Sequence, residues 1–177
     1  GFCYVGDFYH FDKYNSPFVS GFIKELGTMV TGTCDNANAI IKGLDDNYTA
    51  IATLLCAPLI KGILLKDAEH QKPEAFQAVA LTAVHMRETM AKYKDMVDAF
   101  LIQPYLPHSI AAFPSSIRKS VPTSDTDSTI FTAQHWADKY GGEAYSHQSM
   151  SVTYVMVFLI SGMIQNTLLM YSANLGV

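Results

Sequence analysis

Asp7, His10 and Asp12 fall within the six residues DFYHFD, a grouping that could ligate a divalent metal if the backbone folded back on itself. The simpler reading makes them the polar positions of an aromatic arm, and no metal site is assigned to them. His85 follows the hydrophobic face of the longest periodic segment, where an imidazole could act as an axial ligand or a titrating switch. It is read as a hydrogen-bonded flank residue. Cys56 stands beside Ala57-Pro58 in an apolar stretch, where burial would raise the thiol pKa and leave it inert as a nucleophile. His135-Trp136 and Tyr140-Gly141-Gly142 read as a helix end with an aromatic anchor, and Trp and Tyr are also enriched at interfaces.

No GxSxG elbow, phosphate-binding glycine loop, HExxH or paired CxxC occurs. The three cysteines, Cys3, Cys34 and Cys56, match no metal-ligand spacing and allow one bridge at most. Catalytic, cofactor-binding and metal-binding residues are therefore assigned to none, and the sequence predicts a protein without enzymatic activity or cofactor. The eight methionines suit a helical core, or a bundle that carries an apolar ligand.

The elements that would position these residues read as helices. After Asn15-Ser16-Pro17, apolar residues recur at three and four from Phe18 to Val30, predicting a helix that ends near Gly32. Asp35 would cap a second helix, stopping near Gly43. A third, from Tyr48 to Leu65, would kink at Pro58. Between Pro73 and Pro104, the residues Phe76, Val79, Ala83, Met86, Met90, Tyr93, Val97 and Phe100 alternate spacings of three and four. That is a heptad seam on one helix about 45 Å long, with Met86 and Met90 buried in it.

Residues 104–126 hold four of the seven prolines and predict a crossover that packs as it runs, through Tyr105, Leu106, Ile110, Phe113 and Ile117. Asp127 or a neighbouring Ser or Thr would cap the next helix, which ends at Gly141-Gly142. No charged residue follows Glu143, and Val152, Met156, Leu159, Met163, Asn166, Met170 and Ala173 form a second seam with one polar register position. Residues 151–175 read either as a central buried helix or as a membrane span. The fold class expected is all-α: one helical domain over 1–177, an elongated bundle with an aromatic arm (1–16), helices (17–103), the Pro-rich connector (104–126) and helices (127–175).

Composition narrows the function further. Only 16% of the 177 residues are charged, against about 25% in ordinary domains, so part of the surface is expected to meet neighbours or lipid. A net charge of −4, with twelve basic residues spread along the chain, lacks the clustered basic stripe that phosphate backbones require, and nucleic acid is excluded on that ground. Asn47-Tyr48-Thr49 is a glycosylation sequon, and no secretory signal opens the chain at Gly1. A processed chain, secreted or membrane-associated, is expected.

Seven of the first eighteen residues are Phe or Tyr without a helical period, so the arm needs a groove to lie in. Phe2, Tyr4, Phe8, Tyr9, Phe11, Tyr14 and Trp136 are the candidate interface residues. The function expected is a structural or assembly subunit of a homo-oligomer or filament, with copies of itself or other subunits as partners. The alternatives are a membrane-embedded subunit anchored through 151–175 and the apolar-ligand carrier.

Overall fold

The computed structural model describes residues 14–102, 123–124 and 129–175, and these form an all-α fold with one short strand pair. The crossover and most of the aromatic arm lie outside the described residues. Contacts divide the chain into two compact units: one is Phe22–Tyr93, and the other runs up to Gly21 and again from Lys94.

Helix α1 (Ser16–Leu26) passes from one unit into the other. Pro17 sits in its first turn, where its missing N–H is no loss. Val19, Phe22, Ile23 and Leu26, spaced as one helical face, are essentially inaccessible. The helix stops at Leu26, six residues before Gly32. Past that point Val30 is drawn off the helical path: its N–H donates to Thr82 Oγ1 at 3.0 Å, and the Thr82 hydroxyl donates back to the Val30 carbonyl at 3.4 Å.

In the Phe22–Tyr93 unit, α2 (Ala37–Gly43), α3 (Asp46–Leu55), α4 (Ala57–Ile60) and α5 (Leu65–Gln71) all pack on α6 (Pro73–Lys92). Asn36, not Asp35, is the residue before α2, and its side chain makes no capping bond. Asp45 does cap α3, accepting from the Asn47 N–H at 2.8 Å. The expected kinked helix from Tyr48 to Leu65 is divided rather than bent. Pro58 opens the short α4 in its first turn, and Lys61 (φ 53°) and Gly62 (φ 79°) then take left-handed conformations that end it. Lys72 Nζ donates to the carbonyls of Leu59 and Ile60, satisfying the C-terminal end of that turn.

Helix α6 starts at Pro73 and buries Ala75, Phe76, Ala78, Val79, Ala80, Thr82, Ala83, Met86 and Thr89. That set is wider than a heptad seam because the helix is covered from several sides, and its alanines let neighbours approach closely. Met86 is fully buried while Met90 is only half-buried. Met86→Ala should therefore lower unfolding free energy by about 2–5 kcal/mol in urea titrations, and Met90→Ala by less.

The single helix of about 45 Å does not form, because α6 ends at Lys92 and covers about 30 Å. Tyr93 is held out of line by tertiary bonds described below. A one-turn α7 (Lys94–Met96) follows, then a π-helix, Val97–Leu101, closed by Ile102 N–H to the Val97 carbonyl at 2.9 Å. Phe100, expected on the seam, is 40% exposed, while Val97 and Leu101 are buried.

The other unit also holds β1 (Thr123–Ser124), β2 (Thr129–Ile130), α8 (Gln134–Tyr140) and α9 (His147–Leu175). Helices α8 and α9 pack on each other across Gly141. Ser146 caps α9, accepting from Ser149 N–H at 3.1 Å and donating to the Gly141 carbonyl at 3.2 Å. The first half of α9 buries Val152, Val155, Met156 and Leu159. In the second half the seam residues Met163, Asn166 and Met170 are half-buried, whereas Ile164, Leu168, Leu169 and Tyr171 are exposed. Asn166, the polar register position, donates to the Ile102 carbonyl at 3.4 Å. By length and composition α9 could cross a membrane.

Candidate functional site

Strands β1 and β2 pair antiparallel, with Thr123 opposite Ile130 and Ser124 opposite Thr129. The sequence VPTSDTDSTIF explains the pair: Val121, Thr123, Thr129, Ile130 and Phe131 have the β-branched and aromatic side chains that favour strands. Four residues connect the paired positions, Asp125-Thr126-Asp127-Ser128. These four lie outside the described residues; in sequence they carry two acids separated by one residue. Helix α8 does not begin at Asp127, as a capping role would require, but at Gln134. Its first turn takes a bond from Gln134 N–H to Thr132 Oγ1 at 3.1 Å.

A second polar cluster lies in the Phe22–Tyr93 unit. Lys92 Nζ donates to both carboxylate oxygens of Glu25 at 2.7 and 2.9 Å, and Tyr93 Oη donates to Glu25 Oε2 at 2.8 Å. His85 Nε2 donates to the Glu25 carbonyl at 2.8 Å, which makes His85 the hydrogen-bonded flank residue expected of it. Phe22 packs edge-on against Tyr93, with ring centroids 5.1 Å apart. These contacts hold Tyr93 and end α6.

The bonds from Lys92 and then Tyr93 hold the Glu25 carboxyl below the ordinary glutamate range. A depressed carboxylate pKa adds stability that is present above about pH 4.3 and disappears as pH falls through the folded value. Glu25→Gln should therefore be less stable than the parent at pH 7, and the difference should vanish in denaturant titrations at low pH. A difference that persists unchanged at low pH would assign the loss to packing.

Cys56 is fully buried and its Sγ lies 3.5 Å from Thr82 Oγ1; burial pushes its pKa up, as expected for an inert thiol. Trp136 is 4% exposed and packs on Tyr140, centroids 5.8 Å apart, while His135 beside it is exposed. Tyr14 is 79% exposed. Phe2, Tyr4, Phe8, Tyr9 and Phe11, like Asp7, His10 and Asp12, lie outside the described residues. Among the described residues no three His, Cys, Asp or Glu side chains group as metal ligands. In the sequence Asp127 reads as a helix cap, which leaves the acidic pair Asp125 and Asp127 unremarked; what marks it is two acids in a short Ser/Thr-rich stretch between strand-forming residues.

Fold and sequence together define a helical protein whose described strand pair flanks the sequence Asp-Thr-Asp. The family model of the divergent Family B DNA polymerases matches residues 1–177, and the chain belongs to that family. No curated protein and no solved structure matches the chain significantly.

Membership corrects several expectations. A structural or assembly subunit, a membrane-embedded subunit and an apolar-ligand carrier all give way to a role related to DNA polymerase, and self-assembly and secretion go with them. The exclusion of nucleic acid is overturned too. It rested on a sparse, unclustered set of basic residues, but in carboxylate sites a bound cation is the dominant local charge, so an acidic sequence is no bar to handling phosphates. A polymerase family lends no support to the non-enzymatic expectation.

Proposed function

We propose that the chain contributes to the nucleotidyl-transfer centre of a DNA polymerase, with Asp125 and Asp127 as its paired carboxylates. The observation that carries this is the Asp-Thr-Asp connection between β1 and β2 in a chain of this family. Magnesium and manganese are hard cations bound through one or two carboxylates together with substrate phosphates, and two aspartates supply that donor chemistry. A cation bound there supplies positive charge against the attacking and leaving oxygens.

In the reaction, the primer 3′-hydroxyl oxygen forms a bond to the α-phosphorus of a deoxynucleoside triphosphate, and the bond to pyrophosphate breaks. The hydroxyl proton leaves with solvent or a neighbouring base. The residues of this chain hold charge and position at that centre. Asp7 and Asp12 carry the same oxygen donors and enter the proposal as candidates for a further ligand.

Manganese binding by the full protein, followed by electron paramagnetic resonance, tests the site apart from turnover. The parent should bind the ion and Asp125→Asn with Asp127→Asn should not. Equal binding by both would place the metal elsewhere and end this reading.

A further inference from the structure

Tyr145 is the most exposed large apolar side chain among the described residues, at 92%, and its backbone is left-handed, with φ 59°. A bulky side chain in that conformation is strained, and such strain persists only where neighbours impose it. Here they do: Ser146 N–H donates to the Glu143 carbonyl at 3.2 Å, while the Ser146 hydroxyl donates to the Gly141 carbonyl and accepts from Ser149 N–H. Tyr145 also stands just before the cap of α9, where an apolar residue ordinarily packs on the fourth helical residue, in this chain Met150. Its exposure shows that the ring does not settle there, and Met150 is itself 38% exposed. Strain that no burial offsets stabilises nothing in the fold; the turn holds the ring out. We propose that Tyr145 is a stacking platform for one nucleobase of the DNA strand on which the polymerase acts.

The surroundings select that partner. The residues beside the ring, Gly142, Glu143, Ala144 and His147, are exposed and small or polar, so it lacks the apolar surround of a protein-binding anchor. A lone flat ring suits a base, because every base presents a π-face to an aromatic side chain. A free nucleotide would need walls, since small-molecule sites bury most of their ligand, whereas a base within a strand is delivered by contacts made elsewhere along it. The inference rests on membership in the polymerase family and not on the roles assigned to Asp125 and Asp127.

A primer–template with aminopurine, a fluorescent adenine analogue, placed at successive positions of the single-stranded template tests it on the full protein. Metal is left out, so failure of the Asp125 and Asp127 reading does not reach this measurement. The parent should quench the analogue at particular positions and Tyr145→Phe should quench it equally. Tyr145→Asn should lose that quenching and bind the primer–template about tenfold more weakly. Asparagine accepts a left-handed backbone, so Tyr145→Asn should also melt about 2–4 °C higher than the parent, a gain in stability that a merely structural tyrosine would not give. Quenching by Tyr145→Asn equal to the parent's, or its loss in Tyr145→Phe, overturns the proposal. A melting temperature that does not rise in Tyr145→Asn removes the strain on which it stands. Equal quenching of free aminopurine deoxynucleoside triphosphate would overturn it in favour of the incoming nucleotide.

Discussion

Asparagine at Asp125 or Asp127 should reduce template-directed primer extension by at least about 100-fold, equivalent to about 2.7 kcal/mol of lost transition-state stabilisation. The substitution keeps size and shape and removes the charge. A carboxylate holds a hard divalent cation by charge, which a neutral amide oxygen cannot replace. Each single variant should therefore be severely impaired, and the double variant little worse than the poorer single one, because ligands of one ion act as a unit. Neither should change helix content by circular dichroism, since the strand pair they flank is only two residues deep. Extension at the parental rate in both single variants would remove the pair from the proposed centre.

The largest structural effect is expected at Gly141. A Cβ there would stand 2.5 Å from the Ala137 carbonyl oxygen, 2.5 Å from Ser149 Cα and 2.7 Å from Ser149 Cβ. These are backbone and near-backbone atoms on both helices, so no rotamer change can clear the space. Gly141 itself has an ordinary helical φ of −91°, so the demand is for room and not for a left-handed backbone. Gly141→Ala should cost about 1–3 kcal/mol through overpacking, and Gly141→Val more. Gly142 is the internal control: its φ is 70° with no atom within 4 Å of a Cβ, so Gly142→Ala should cost about 1–2 kcal/mol of backbone strain alone. Thermal unfolding of the four chains side by side distinguishes the two causes. Gly141→Val as stable as the parent would mean that α8 and α9 do not approach this closely.

What the sequence made legible is local. Pro17 and Pro73 act through their own backbone geometry, and the helices at these residues begin about where they predict, whereas the cap at Asp45 starts its helix two residues before the expected Tyr48. The core face of α1 and the buried half of the α9 seam follow from spacing alone. The end of α6 was not legible, because it depends on Tyr93 finding Glu25, a residue 68 positions away whose side chain no periodicity marks. The division at Pro58 was underestimated for a similar reason: Lys61 takes a left-handed conformation, and the lysine that satisfies the broken end is Lys72. At the candidate site the error was one of competing local rules. Asp127 satisfied the preference for a helix cap, and that reading hid a two-residue strand too short for alternation to register. Net charge misled in the same way, since it counts only the charges fixed to the chain.

The two compact units differ in how the chain must travel to make them. The helices that pack on α6 lie within the one contiguous stretch Phe22–Tyr93, so its contacts can form as soon as that stretch exists, by closing short loops. The other unit joins residues from before Gly21 to residues after Lys94; its Ser16 hydroxyl meets Tyr140 Oη at 3.3 Å across 124 positions of sequence. Such closure is entropically slower than helix-on-helix collapse nearby. During synthesis from the N-terminus, Ser16 therefore emerges long before the Tyr140 it meets, and that closure waits until the later helices have been made.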